Sequence, residues 1–163
     1  MNMKLVLSKN FSEYCIIVGC GRLGANLANT LSDEGGNVLI IDKNKNAFRK
    51  LSPSFGGLTV TGDGTDFDVL QEAQIEKADV LVVVTNNDNV NVMIAQIARE
   101  IFKVSRVIAR LYDPERECVY NEFGIDTICP AVLSAKEIDK MLSKSGNTEK
   151  ADKTACELKE EIK

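Results

Sequence analysis

The residues most able to do chemistry are three glycines and one carboxylate. Gly19-Cys20-Gly21-Arg22-Leu23-Gly24 follows the spacing G-x-G-x-x-G, and Asp42 stands 21 residues beyond Gly21. The bland reading of such a run is a strand-to-helix turn. The sharper one assigns each residue a task. Gly19 permits a tight turn, Gly21 lets the backbone come close to a phosphate, and Gly24 lets the following helix pack tightly on the sheet. The helix start then offers unpaired N–H groups and a positive dipole end to an anion. Asp42 accepts hydrogen bonds from a ribose diol and repels a 2′-phosphate, although Lys43 and Lys45 lie near enough to blunt that repulsion. Arg22 has two readings. Its forked guanidinium suits a phosphate; alternatively it is a solvated first-turn residue that the helix dipole slightly disfavours.

Two further polar runs and one arginine belong to the same set. In Gly62-Asp63-Gly64-Thr65-Asp66, Asp63 suits the exocyclic amine of adenine, while Thr65 or Asp66 suits the cap of a following helix. Plain turn chemistry explains that run equally well. In Thr85-Asn86-Asn87-Asp88-Asn89, Asn87 or Asp88 serves as a cap and Thr85 and Asn86 face ribose or phosphate. Arg110 either reaches a phosphate or forms a surface salt bridge.

These residues converge only if the elements between them are strands and helices in alternation. Tyr14–Val18 is a short unbroken apolar run, as expected of a strand buried on both faces. Leu23, Leu27 and Leu31 then recur at helical spacing until Gly35-Gly36. Asn37–Ile41 is a second strand closed by Asp42, and a short helix over Asn46–Leu51 stops before Pro53. Leu58–Thr61 predicts a third strand, Asp66–Ala73 a short helix, and Val80–Val84 a β-branched fourth strand. Val90, Ile94, Ile97 and Ile101 mark a longer helix. Arg106–Ala109 predicts strand five, Glu115–Phe123 a helix begun at Asp113-Pro114, Thr127–Ile128 a brief sixth strand, and Leu133–Leu142 an amphipathic helix. The expectation is a three-layer α/β Rossmann fold, a doubly wound parallel six-stranded sheet in the order 3-2-1-4-5-6.

Composition narrows the function classes. The chain has 163 residues, a formal charge of −4, 44% apolar and 27% charged residues, which suits one globular domain and no basic nucleic-acid face. No histidine is present, so the commonest general base and every Ser–His or Cys–His pair are absent. Five cysteines without a C-x-x-C pair give neither a metal site nor a disulfide framework. Cys20 at the helix N-terminus is the one candidate for a lowered thiol pKa and a redox sensor. No apolar run approaches the roughly 20 residues that cross a bilayer, and Met1–Ser12 lacks a signal-peptide core. A cytoplasmic location is expected.

Together, G-C-G-R-L-G, I-I-D at the second strand, G-D-G-T-D, V-V-T-N-N-D-N-V-N, V-I-A-R-L-Y-D-P and G-I-D-T-I-C-P-A resemble the RCK/KTN (TrkA-N) family over about Tyr14–Leu142. The resemblance implies a cytoplasmic regulatory subunit for a membrane potassium transporter or channel, peripheral to the inner face of the membrane. It also implies binding of NAD(H) or ATP/ADP, with AMP as a bound fragment, and homodimers or higher homo-oligomers. By position it implies Gly19, Gly21 and Gly24 as the phosphate loop, Asp42 as the ribose acid, Arg22 as the arginine that meets ligand phosphates, and Asp63, Thr85 and Asn86 as adenosine and ribose contacts. Cys20, Leu23, Lys43, Gly62 and Arg110 are the further candidate cofactor-binding residues, with no catalytic residue and no metal expected. The run after strand four lacks the paired acids of calcium-gated relatives, and no second ligand domain is expected within these residues. The expected layout is an extension (1–13), the nucleotide-binding domain (14–143) and a polar, flexible tail (144–163) in which Thr154 and Glu157 suit a capping box. Ile138, Met141 and Leu142 are either a dimer surface or ordinary packing. The rival function is an NAD-dependent oxidoreductase, or its isolated cofactor-binding domain.

Overall fold

Ile16 and Ile17 are neighbours on one strand, point to opposite sides and are both fully buried, which demands a covering layer on each face. The computed structural model describes the backbone of residues 13–157, and the side chains of all of these except 119 and 144–157. Its sheet runs β3 (Leu58–Thr61), β2 (Asn37–Asp42), β1 (Tyr14–Val18), β4 (Val80–Val83), β5 (Arg106–Arg110), β6 (Asp126–Ile128), and every pairing is parallel. This is the expected Rossmann-like order 3-2-1-4-5-6. Its chain reversal falls between β1 and β4, where the strand ends open a crevice.

The two faces carry separate cores. Cys15, Ile17, Val38, Ile40 and Val82 pack under Ala25, Ala28 and Leu31 of α1 (Arg22–Asp33). On the other face Ile16, Val18, Ile41, Leu81 and Val107 meet three helices. These contribute Leu70 of α2 (Phe67–Glu72), Ile94 and Ala95 of α3 (Asp88–Gln96), and Tyr120 of α4 (Glu117–Glu122). Each fully buried Ile or Leu contributes about 1.5–3 kcal/mol over leaving it in water.

Local departures from the expected elements have identifiable causes. The segment before Pro53 is a 3-10 turn over Lys45–Lys50, because it buries only Ala47 and six residues suffice for little more than a turn. The expected single helix through Ile101 ends at Gln96 and continues as a π turn over Ile97–Ile101, closed by Phe102 N–H on the Ile97 carbonyl at 3.3 Å. The wider turn rotates Ile101 outward, to 56% exposure, so its apolar spacing had suggested a burial it does not have. Pro114–Arg116 is likewise a 3-10 turn ahead of α4.

From Cys129 the chain forms a second unit containing α5 (Pro130–Glu157), on which Leu133, Ile138, Met141 and Leu142 are exposed. The extension through Ser12, the side chains of the tail from Lys144 with its capping box, and residues 158–163 lie outside the described residues.

Gly24 sets the distance between α1 and the sheet. A Cβ there would collide with the Gly19 carbonyl oxygen, whereas a Cβ on Gly21 would meet nothing within 4 Å. Gly24→Ala is therefore expected to cost about 1–3 kcal/mol, the usual price of overpacking, read as a lower melting temperature. Gly21→Ala should melt close to the wild type.

Candidate functional site

Five segments leave the C-terminal ends of β1 to β5 and turn into helix, and four of them carry a side-chain cap. Asn44 accepts from Asn46 N–H after β2, Asp66 from Asp68 N–H after β3, Asn87 from Asn89 and Val90 N–H after β4, and Asp113 from Glu115 N–H after β5. The segment after β1 differs. α1 begins at Gly21 with no side-chain cap and no acid in its first turn. Its leading N–H groups therefore remain as donors at the positive end of the dipole. Gly19, at φ +107°, makes the turn that no side chain would tolerate there, its virtual Cβ standing 3.0 Å from Thr85 N.

Asp42 holds this loop from the adjoining strand. Its Oδ2 accepts the Cys20 N–H at 2.7 Å and its Oδ1 the Asn44 N–H at 2.8 Å. The carboxylate thus sits beside the glycine loop, as the spacing predicts, and each oxygen keeps a further lone pair. Around it lies a cleft of about 530 Å³, within the usual range of small-ligand sites. Gly19, Cys20, Gly21, Asp42, Lys43, Gly62, Asp63, Thr85, Asn86 and Arg110 all line it. Arg22, Leu23 and Gly24 do not: Arg22 is exposed at the head of α1, Leu23 half-buried and Gly24 buried.

The neighbouring loops divide their polar groups between scaffold and cleft. Asp63 Oδ1 accepts both the N–H and the hydroxyl of Thr65, at 3.0 and 2.8 Å. Those bonds, the backbone one first, and then the nearby Lys43 charge, hold its carboxyl below the usual range. It is an ionised acceptor at neutral pH. Thr85 is turned inward, its hydroxyl donating to Asn91 Oδ1 at 2.5 Å. Arg110 forms no salt bridge among the described residues; its guanidinium lies 4.2 Å from the Tyr112 ring centroid, and its buried Nε has no hydrogen-bond partner.

Three contributors were not singled out from the sequence. Asn91 is fully buried and ties two strand ends together: it accepts from Thr85 N–H and donates to the carbonyls of Thr85 and Arg110. Its signal was present, since position 91 shares the inner face of α3 with Ile94 and Ala95 and a polar residue there requires internal partners. Gly64 is the second, because a Cβ there would stand 2.5 Å from a Val18 methyl. Lys50 is the third, lining the cleft with its Nζ 3.3 Å from the Cys20 carbonyl; nothing in the local pattern marks it.

Cys20 does not fit a redox sensor. It is fully buried with its Sγ on the Ala47 carbonyl at 3.4 Å, and burial, then the Asp42 charge, push its thiol pKa up. The expected lowering by the helix dipole is overcome, because the thiol points away from the α1 amides into the core. Cys15 is pushed further, to about 12, mainly by burial. Among the described residues no group of His, Cys, Asp or Glu is placed to hold a metal.

The family model of the TrkA-N domain matches residues 15–130. The chain belongs to the TrkA-N family. The Trk system potassium uptake protein TrkA of Streptomyces coelicolor is 44% identical over 133 residues, 82% of this chain and 60% of that protein. This TrkA-N chain thus spans about three-fifths of that relative's length. Among solved structures, the GsuK channel bound to NAD superposes with a TM-score of 0.71 at 25% identity, covering 84% of this chain and 24% of that one. GsuK bound to ADP gives 0.69 at 26% identity, covering 82% and 34%.

Two outcomes follow from this TrkA-N site. Asn91→Leu strands the Thr85 N–H and the Arg110 carbonyl, so denaturant unfolding should show a loss of about 1–3 kcal/mol. Thiol alkylation of the native protein, mapped by peptide mass, should modify the exposed Cys118 while Cys15 and Cys20 stay protected until the fold is opened. Rapid native labelling of Cys20 would restore the sensor reading.

Proposed function

We propose that the cleft binds an adenine nucleotide, NAD(H) or ATP/ADP, and that its occupancy regulates a membrane potassium transporter or channel without catalysis by this chain. The observation that carries the reading is the uncapped start of α1 beside an acid-anchored glycine loop. Phosphate oxygens would take the α1 N–H groups, with Gly21 leaving the approach open and the Arg110 guanidinium at the cleft wall. The ribose diol would take the remaining lone pairs of Asp42, and Asp63 and Asn86 would face the nucleoside. Family membership supports the potassium-uptake role, since the relatives are named as Trk system proteins. Solved relatives described as bound to NAD and to ADP support the ligand class.

The regulatory step requires the ligand to bind one arrangement of the protein better than another. A cytoplasmic position at the inner face of the membrane and a homodimer belong to the same proposal; no described helix is long and apolar enough to cross a bilayer. The exposed Ile138 and Leu142 of α5 are the side chains offered to a second copy.

Thermal melting with ATP, ADP, AMP, NAD, NADH and NADPH tests the reading, because a ligand held only by the folded state raises the melting temperature by mass action. Adenine nucleotides should stabilise, and NADPH least, because Asp42 repels its extra phosphate. Asp42→Ala should abolish the shift, and Gly21→Ala should weaken it while leaving the unliganded melting point in place. A shift unchanged in Asp42→Ala would refute the ribose assignment, and turnover of NADH with a substrate would restore the oxidoreductase.

A further inference from the structure

We propose that the face formed by α1 and the Lys45–Lys50 turn docks on the anionic headgroups of a membrane surface, and that nucleotide in the cleft loosens this contact. The inference rests on the nucleotide reading above and adds a surface that the ligand would govern.

Between Cys20 and Gly57 the chain carries five cations, Arg22, Lys43, Lys45, Arg49 and Lys50, against three acids, Asp33, Glu34 and Asp42. This is a basic stretch in a protein whose formal charge is −4. The fold concentrates it further. Ala47, Phe48 and Leu51 share one core cluster with Leu23, Leu27 and Ala28, so the turn and α1 cover the same face of the sheet. Arg22 is the first residue of α1 and Asp33 the last. At the helical rise they stand about 17 Å apart, beyond the roughly 10 Å over which salt lets exposed charges interact. Asp66 and Asp68 belong to the start of α2, which packs Leu70 on the opposite face.

All five cations are exposed. The salt bridges among the described residues join Lys103 to Glu100, Arg116 to Asp113 and Lys140 to Glu137, and use none of the five. Lys43 leans toward acids, lying next to Asp42 in the chain and adding its charge to the field on Asp63. The weight of the face therefore falls on Arg22, Lys45, Arg49 and Lys50, with the positive end of the α1 dipole beneath them.

The character of this face selects its partner. None of the exposed large apolar side chains lies between Cys20 and Gly57, so the contact is electrostatic and inserts nothing. Long, flexible cations without a shaped pocket suit a fluid layer of headgroups, and a basic cluster of this size is drawn to the anionic cytoplasmic leaflet. The cytoplasmic loops of a membrane transporter are themselves enriched in Lys and Arg. Charge thus turns this face from those loops toward the lipid around them. Lys43 and Lys50 also line the cleft, so phosphates bound there bring negative charge to the same corner. Nucleotide and lipid then weaken each other by equal factors.

Flotation of the full chain with lipid vesicles tests this. Vesicles of equal parts phosphatidylcholine and phosphatidylglycerol should bind the wild type at low salt and release it as salt rises. Phosphatidylcholine alone should not bind it. Lys45→Gln with Arg49→Gln, at two positions outside the cleft lining, should weaken binding at least about tenfold. Lys77→Gln with Arg106→Gln removes the same charge at the opposite ends of the strands and should stay within about twofold. An unchanged melting temperature certifies each variant as folded. Equal loss in both pairs, or binding to neutral vesicles, overturns the face. No binding to the anionic vesicles overturns lipid as the occupant in favour of an acidic protein segment. ADP or NADH, at a concentration that raises the melting temperature, should release the protein from vesicles, and no release overturns the coupling. If neither nucleotide raises the melting temperature, the cleft reading fails while the face stands on its vesicle binding.

Discussion

The start of α1 is the constraint on which the rest of this molecule turns. A helix that begins at a strand end must find partners for its first N–H groups, and the segments after β2, β3, β4 and β5 find them in Asn44, Asp66, Asn87 and Asp113. A side-chain cap is worth about 1 kcal/mol. α1 forgoes that contribution, and it does so at the strand beside the chain reversal, where the sheet opens. An anion from outside would restore what the missing cap withholds. The same residue cannot serve both purposes, because a capping carboxylate at position 21 would occupy the volume a phosphate requires.

Leaving those amides exposed is compatible with a stable fold only because the loop is fixed from other directions. Asp42 takes the Cys20 N–H, Gly19 N–H donates to the Ile41 carbonyl at 2.8 Å, and Lys50 reaches the Cys20 carbonyl. Gly24 then brings α1 against the Gly19 carbonyl with no room for a methyl group. On the far side of the crevice Asn91 performs the matching task, joining the ends of β4 and β5 through its amide. The cleft is thus bounded by two tied corners. Affinity in such a site comes from groups already in place rather than from ordering a loop.

Most of this was legible because strands buried on both faces leave unbroken apolar runs, and Tyr14–Val18 and Val80–Val83 are such runs. Their alternation with helical spacing predicts the sheet order, and the place of the glycine loop and Asp42 within it follows. Three things escaped for physical reasons. Ile101 continues an i+4 pattern, and periodicity alone does not register the π turn that carries it into solvent. Asn91 is a polar residue on an inward face, which reads as a blemish in the pattern until its partners are seen. Cys20 shares the helix start with the phosphate loop, so dipole reasoning lowers its pKa. Which way the thiol points decides the opposite sign, and that direction is set by Ala47 in a distant turn.

The polar run from Thr85 to Asn89 shows how far composition can carry a functional argument. Read as a string, it gives Thr85 and Asn86 to a ligand and Asn87 or Asp88 to a helix cap. In three dimensions Thr85 is bound to Asn91, Asn87 caps α3, Asp88 accepts two backbone N–H groups of the next loop, and Asn89 accepts from Arg116. Four of the five are therefore engaged in holding β4, β5 and the start of α4 in register, and Asn86 is the member whose role is exposed to the cleft. A run of hydrogen-bonding side chains at a sheet end builds the walls first, since buried backbone groups there must be satisfied before any ligand arrives. On the nucleotide reading proposed above, recognition would fall to the few groups the scaffold does not consume: the α1 amides, the spare lone pairs of Asp42 and Asp63, Asn86, and the Arg110 guanidinium at the cleft wall.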